Sequence, residues 1–220
     1  NYQYHGANRL GANALLSCIF DGLFCGLGVV NYVSGQEQSV SELENSIYDA
    51  ARVAEEGIVE DLVASEGTEN PYEIGKELGD EMTAACTVVK SEPRLEKARA
   101  KLVELHERYG NIRLSDTGLW TNQNLSYARA VGDMLRIGDA MIEASILRKE
   151  SRGSHFRTDF PTRNDEDFLR TTVARYDPAS EQPELSYESV ETGLVVPRER
   201  NYTTTHAPAK DKKTPAVAGA

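Results

Sequence analysis

Cysteine, tryptophan and positive charge are all in short supply in this 220-residue sequence, and each shortage narrows the reading. The three cysteines, Cys18, Cys25 and Cys86, make an odd count. The first two sit seven positions apart in a helix-like run, about 10 Å along its axis, which is beyond disulfide reach. They read as buried thiols of a reducing compartment, and without a C-x-x-C spacing no metal site is expected. Lys and Arg number 24 against 35 Asp and Glu, a formal net charge of −11. Such a surface repels a phosphate backbone, so no nucleic-acid partner is expected. No G-x-G-x-x-G follows a strand-like run, because Gly26 and Gly28 close an apolar helix instead. A nucleotide-binding half is therefore not expected within the chain. Residues 1–10 lack the basic region of a secretory leader and an initiator methionine, so the chain reads as processed or truncated.

The length suffices for one core without staples, and hydrophobic periodicity predicts a mainly α-helical chain. An apolar helix starts near Leu10. Its stretch Leu15–Val33 approaches a membrane span and holds a small pair, Gly22 and Gly26, but Asp21 near the middle and Ser17 and Asn31 favour a buried core helix. Ser-x-x-Glu boxes at Ser39/Glu42 and Ser41/Glu44 open a second helix, with Leu43, Ile47, Ala50, Ala54, Ile58 and Leu62 as its buried stripe. Asn70-Pro71 caps a third, which buries Ile74, Leu78, Met82, Ala85 and Val89. Ser91 and Pro93 open a fourth, carrying Leu95, Ala98, Leu102, Leu105 and Tyr109 and ending at Gly110.

A polar loop, 111–123, holds the single Trp120 and leads to a long helix from Leu125 to Lys149. Two adjacent stripes run along it, Tyr127, Ala130, Met134, Ile137, Met141 and Ala144 beside Ala128, Val131, Leu135, Gly138 and Ile142. It should be a central helix contacted from more than one side. Beyond Glu150 the composition turns to Gly, Pro and charge. A short helix is expected near Phe168–Tyr176, short strands at Leu185–Val190 and Leu194–Val196, and a disordered tail after Arg200. Residues 37–92 hold fifteen acids against three bases, a net of −12, which accounts for the whole excess. Solvated helix faces explain it, and a basic partner would be steered there.

The run His5-Gly6-Ala7-Asn8-Arg9-Leu10-Gly11 is a turn feeding a helix, where exposed amides and the Arg9 guanidinium suit a carboxylate or phosphate. A structural arginine bridging two loops accounts for Arg9 equally well. The segment Arg148–Asp165 interleaves Arg148, Lys149, Arg152, Arg157 and Arg163 with Glu150, Asp159 and Asp165. A salt-bridged loop is preferred there over direct substrate contact, with His155 and Arg157 as weak site candidates. His106 reads as a boundary residue and His206 falls in the tail.

The first block, "HGANRLGANALL" at His5–Leu16, resembles the H-G-A-N-R-L-G-G-N-S-L-L segment of succinate dehydrogenase and fumarate reductase flavoproteins. The second, "RKESRGSHFRTDFPTRND" at Arg148–Asp165, resembles that family's R-x-E-S-R-G-A-H-x-R-x-D-F-P-x-R segment. The blocks keep the family's order, and "TNQ" at Thr121–Gln123 looks most like the Bacillus-type version. The resemblance implies the end of an FAD-binding domain (1–35), a helical bundle (36–150), an irregular extension (151–200) and a tail (201–220).

It also implies that Arg9 holds a carboxylate of a small dicarboxylate substrate, succinate or fumarate, and that Ala14 and Leu15 contact the flavin of FAD. Alanine replaces the motif glycine at Ala12 and the motif serine at Ala14, so a hydroxyl contact is lost while a backbone amide contact survives. The motif histidine, His5, takes a loop-fixing role. No catalytic residue is assigned within the chain, because the family's proton-transferring arginine and its FAD-linked and substrate histidines lie upstream of the first block. In the mechanism so implied, hydride passes between succinate and flavin, and electrons leave to quinone. The partners would be an iron-sulfur subunit and a membrane-anchor cytochrome b subunit, at the cytoplasmic face of the membrane. Two alternatives stand beside this reading: an L-aspartate oxidase-like flavoprotein and a non-catalytic helical scaffold. The Gly11-Ala12-Asn13-Ala14 stretch favours the dehydrogenase over the oxidase.

Overall fold

The computed structural model describes residues 13–193 and Pro197. His5, Arg9, the expected strand at Leu194–Val196, His206 and the expected tail lie outside the described residues. All the elements below fall in the first of two compact units, Asn1–Ser189, and the described residues of the second, Val190–Ala220, carry no helix or strand.

The order is α1 (Asn13–Ser34), a 3-10 turn (Val40–Glu42), α2 (Asn45–Ala64), α3 (Pro71–Cys86), β1 (Val89–Lys90), α4 (Glu92–Tyr109), α5 (Gln123–Leu147), β2 (Phe156–Arg157), α6 (Asp165–Phe168), β3 (Arg170–Asp177) and β4 (Gln182–Ser189). The chain is mainly helical, as predicted. The expected irregular extension departs from the reading by holding a regular antiparallel hairpin, β3–β4, registered from Arg170↔Ser189 to Asp177↔Gln182. It replaces most of the short helix expected at Phe168–Tyr176. The β-branched run Thr171, Thr172 and Val173 with Tyr176 favours a pleated surface there, and the Asp177 carboxylate closes the turn by accepting from the Ala179 and Ser180 amides. The strand expected at Leu185–Val190 falls within β4 up to Ser189, and Val190 lies beyond it.

The core is three helices. Ile74, Leu78 and Ala85 of α3 meet Leu95, Ala98, Leu102 and Leu105 of α4 and Ala128, Val131, Leu135 and Ile142 of α5. Gly138 lets α5 approach closely, since a Cβ there would press within 3.1 Å of Leu102. Each fully buried leucine or isoleucine contributes about 1.5 to 3 kcal/mol of apolar transfer. The Asn70 cap on α3 is present, its side chain accepting from the Tyr72 amide at 3.0 Å with Pro71 in the first turn. Val89 lies in β1, not on α3, and is 45% exposed.

Helix α2 departs from expectation. The Ser39/Glu42 capping box is made, but it closes the 3-10 turn, and α2 itself begins at Asn45. Of its expected stripe, Ile47 and Ile58 are exposed and Leu62 is partly buried with Val59 and Val63. The helix touches the core only through its last turns, so the earlier positions have nothing to bury against. Helix α1, expected to be buried, has Ser17 as its single buried residue. It is the one helix among the described residues long and apolar enough to cross a membrane. Apolar residues encircle it, so no single stripe directs it onto the bundle. Cys18 and Cys25 are accordingly exposed and Cys86 half-buried, against the expectation of buried thiols.

Candidate functional site

The first turn of α1 begins the candidate ligand site. No acidic side chain occupies the first described turn of the helix. Ala14 is half-buried, with its carbonyl accepting from the Ser17 hydroxyl at 2.8 Å, while Leu15 is exposed. An exposed apolar side chain at Leu15, in a turn without acidic side chains, suits the flat ring system of a flavin. Ala14 and Leu15 are thus described, while Arg9, the expected carboxylate ligand, lies outside the described residues. No group of three or more His, Cys, Asp or Glu side chains that could hold a metal ion is found among the described residues.

The second block bonds within itself and to neighbouring elements of this chain. Glu150, completely buried, accepts from Arg148 Nη1 at 2.7 Å, from Arg152 Nε and Nη2 at 2.8 and 2.9 Å, and from the Asn164 amide at 2.9 Å. Burial alone would raise its pKa, but the two guanidiniums and the Asn164 amide outweigh that and hold it below the ordinary glutamate value. Arg152 also reaches Asp165 at 2.7 Å, and Arg163 reaches the other oxygen of Asp165 at 2.8 Å. Arg148 continues to the Phe168 and Arg170 carbonyls and the Thr172 hydroxyl, fastening the hairpin to the end of α5.

Arg157 is the centre of this block and is completely buried. It donates to both oxygens of Asp159, at 2.9 and 2.7 Å, to Glu92, and to the Ser145 carbonyl at 2.6 Å. Asp159 in turn accepts from the Glu92 amide at 2.9 Å, where Ser91 makes no side-chain cap. One Arg–Asp pair therefore caps the start of α4 and the end of α5 together. Arg157 holds the Asp159 carboxyl well below the usual aspartate range. His155 Nε2 donates to the Arg148 carbonyl, 3.0 Å away. Burial pushes its pKa down, against the bond to the Arg148 carbonyl, and the cations Lys90, Arg157 and Arg148 add to the lowering. The loop is salt-bridged, as preferred, and ties the extension to the ends of α4 and α5; with every side-chain nitrogen of Arg157 engaged, nothing in its bonding favours it as a substrate ligand. Sequence reasoning missed the long-range cap, whose only linear signal was the Asp two residues after Arg157.

A third feature is a groove of about 650 Å3 between α4, α5 and the hairpin. His106 Nε2 lies 2.7 Å from Asp139 there, half-exposed as a boundary residue should be. Glu143 alongside is pushed above the ordinary glutamate value by burial. Among the described residues the groove's lining has no Ser, Thr, Cys or Lys, and the His106–Asp139 contact links α4 to α5 across it.

A family profile described as "Fumarate reductase flavoprotein C-term" matches residues 75–202, more than half of the chain. The chain belongs to that family. Within the fumarate reductase flavoprotein family, it is 41% identical over 203 residues to the succinate dehydrogenase flavoprotein subunit of Bacillus subtilis, covering 92% of this chain and 35% of that protein. Its fold superposes on the FrdA chain of an E. coli quinol fumarate reductase with a TM-score of 0.80 and 31% identity, over 89% of this chain and 33% of that one. The Mycobacterium smegmatis Sdh1 complex gives a TM-score of 0.70 and 27% identity, over 85% and 31%. The chain thus spans about a third of the length of its relatives. These relatives agree with the motif resemblance rather than with an L-aspartate oxidase or a scaffold.

Proposed function

We propose that the chain is the C-terminal portion of a flavoprotein subunit that interconverts succinate and fumarate with FAD. In this reading the complete subunit works with an iron-sulfur subunit and a membrane-anchor cytochrome b subunit, peripheral to the cytoplasmic face of the cell membrane, and exchanges electrons with quinone. The observation that carries it is the kinship over nine-tenths of this chain with a succinate dehydrogenase flavoprotein subunit. Residues 1–35 close the FAD-binding domain, 36–150 form the helical bundle, 151–200 the extension and 201–220 the tail.

Ala14 and Leu15, in the first described turn of α1, lie against the flavin. FAD, when bound, supplies the two-electron redox chemistry. Arg9 clamps one carboxylate of the dicarboxylate, which neutralises its charge and fixes its orientation. No group in this chain moves the substrate proton. This chain by itself is therefore inactive, because it orients a substrate whose redox partner is held mainly by other residues. In the complete subunit, Arg9→Ala lowers kcat/KM for the dicarboxylate by at least about 100-fold, while flavin absorbance is retained. Unchanged kcat/KM rules out the clamp.

A further inference from the structure

Helix α5 has two apolar stripes, and one is uncovered. Val131, Leu135 and Ile142 are at most 1% exposed, whereas Met134, Ile137 and Met141 are 39%, 59% and 46% exposed. The loop that leads into α5 goes further and shows Leu119 and Trp120 to solvent at 74% and 88% exposure.

That loop is held firmly. The buried Asn122 side chain donates to the Asp116 and Gly118 carbonyls at 2.6 and 2.8 Å and accepts from the Leu125 amide at 2.8 Å. Asp116 accepts from the Gly118 amide at 2.8 Å, and Asn124 accepts from the Ser115 amide at 2.7 Å. Thr121 sits at φ 54°, a left-handed conformation that costs a β-branched residue about 1 to 3 kcal/mol. Two buried amides and a strained threonine thus fix the shape of a loop whose largest apolar side chain has no cover. A rigid aromatic held in advance is what an anchor at an interface requires, since little freedom remains to be lost on docking.

We propose that the 115–122 loop and the open stripe of α5 dock onto the flavin-binding part of the same polypeptide, with Trp120 as the anchoring side chain. The proposal rests on the functional reading above, and chain connectivity selects the occupant. Helix α1, which that reading assigns to the flavin-binding part, is equally bare: Leu15, Leu16, Ile19, Leu23, Phe24 and Leu27 are 60–77% exposed. Ten residues, 35–44, join α1 to α2, a reach of at most about 35 Å. The polypeptide that covers α1 is therefore tethered beside the bundle. The open stripe itself, Ala130, Met134, Ile137 and Met141, carries no charge. A covalently linked body needs no electrostatic steering, unlike a separate subunit, which the acidic α2–α3 region would attract.

The test is hydroxyl-radical footprinting of the complete flavoprotein, purified with flavin and without partner subunits, and read by peptide mass spectrometry. Trp120, Met134 and Met141 should oxidise at least tenfold more slowly than in the urea-unfolded protein. Trp120→Ala should lower flavin retention, with Trp120→Phe restoring it. Oxidation of Trp120 at the unfolded rate, in a protein that keeps flavin and turnover, overturns the docking proposal alone. Protection that arises only after an iron-sulfur subunit is added overturns the choice of occupant. A complete protein with neither flavin nor dicarboxylate turnover overturns the underlying functional reading and this proposal with it.

Discussion

The segment from Arg148 to Asp165 and helix α1 are opposites. The first is dense in charge, yet its buried ions, Glu150 and Arg157, are met by partners within this chain. The second is almost free of charge and finds no cover among the described residues. Polar groups announce their needs locally, because an unpaired buried charge is too costly to leave and must be matched by directional bonds. Apolar surface is matched by area alone, so it can wait for any body of suitable shape. The two regions therefore differ in what they depend on: one on side chains within this chain, the other, in the reading proposed above, on polypeptide outside the described residues.

Removing the hub of the self-sufficient region should have the largest effect. Arg157→Met leaves Glu92 and Asp159 without their cation and uncaps α5, at a cost of about 3 to 5 kcal/mol. Urea midpoints of the complete flavoprotein measure it, and a loss below about 1 kcal/mol would show the network to be ornamental. The open stripe of α5, exposed like α1, is tested by Ile137→Ser, expected to cost about 2 to 3 kcal/mol in the complete protein, where the proposed docking covers it. A shift near zero would mean that the stripe faces water and would erase the contrast. Asn122→Ala should cost about 1 to 2 kcal/mol by removing the α5 cap and two loop bonds.

The smallest effect is on acid titration. Arg108 and then Lys101 hold the Glu77 pKa down at about 2, against an ordinary value of 4.5. A carboxylate depressed in the folded state stabilises it fully above 4.5, and that contribution disappears as the pH falls towards 2. Because Glu77 is about a third exposed, solvent screening limits the contribution to about 1 kcal/mol. Glu77→Gln should flatten the dependence of the urea midpoint on pH between 4.5 and 2 by that amount.

Sequence reading succeeded where a signal is local. Asn70-Pro71 specifies the start of α3 within two residues, and the spacing of Leu95, Ala98, Leu102 and Leu105 predicts the buried face of α4 without reference to any neighbour. It failed on α2 because the pattern Ile47, Ala50, Ala54, Ile58 says that a face is apolar but not whether anything meets it. The hairpin was obscured by its polar strands, whose pairing is set by backbone bonds and by the Asp177 turn rather than by alternation. In the candidate site, the charged composition of 148–165 foretold internal pairing, but not that Asp159 would reach the amide of Glu92, 67 residues earlier. A bond across such a separation leaves no periodicity to read.

That same bond has a consequence for biosynthesis. At about 5 to 20 residues added per second, Glu92 leaves the peptidyl-transferase centre some 3 to 13 s before Asp159 is joined to the nascent chain. During that interval the start of α4 has no cap, and Ser91 offers no substitute. Completion of the bundle is thereby timed to a late stage of translation, and a ribosome stalled between residues 110 and 155 would hold a helix whose first turn stays frayed.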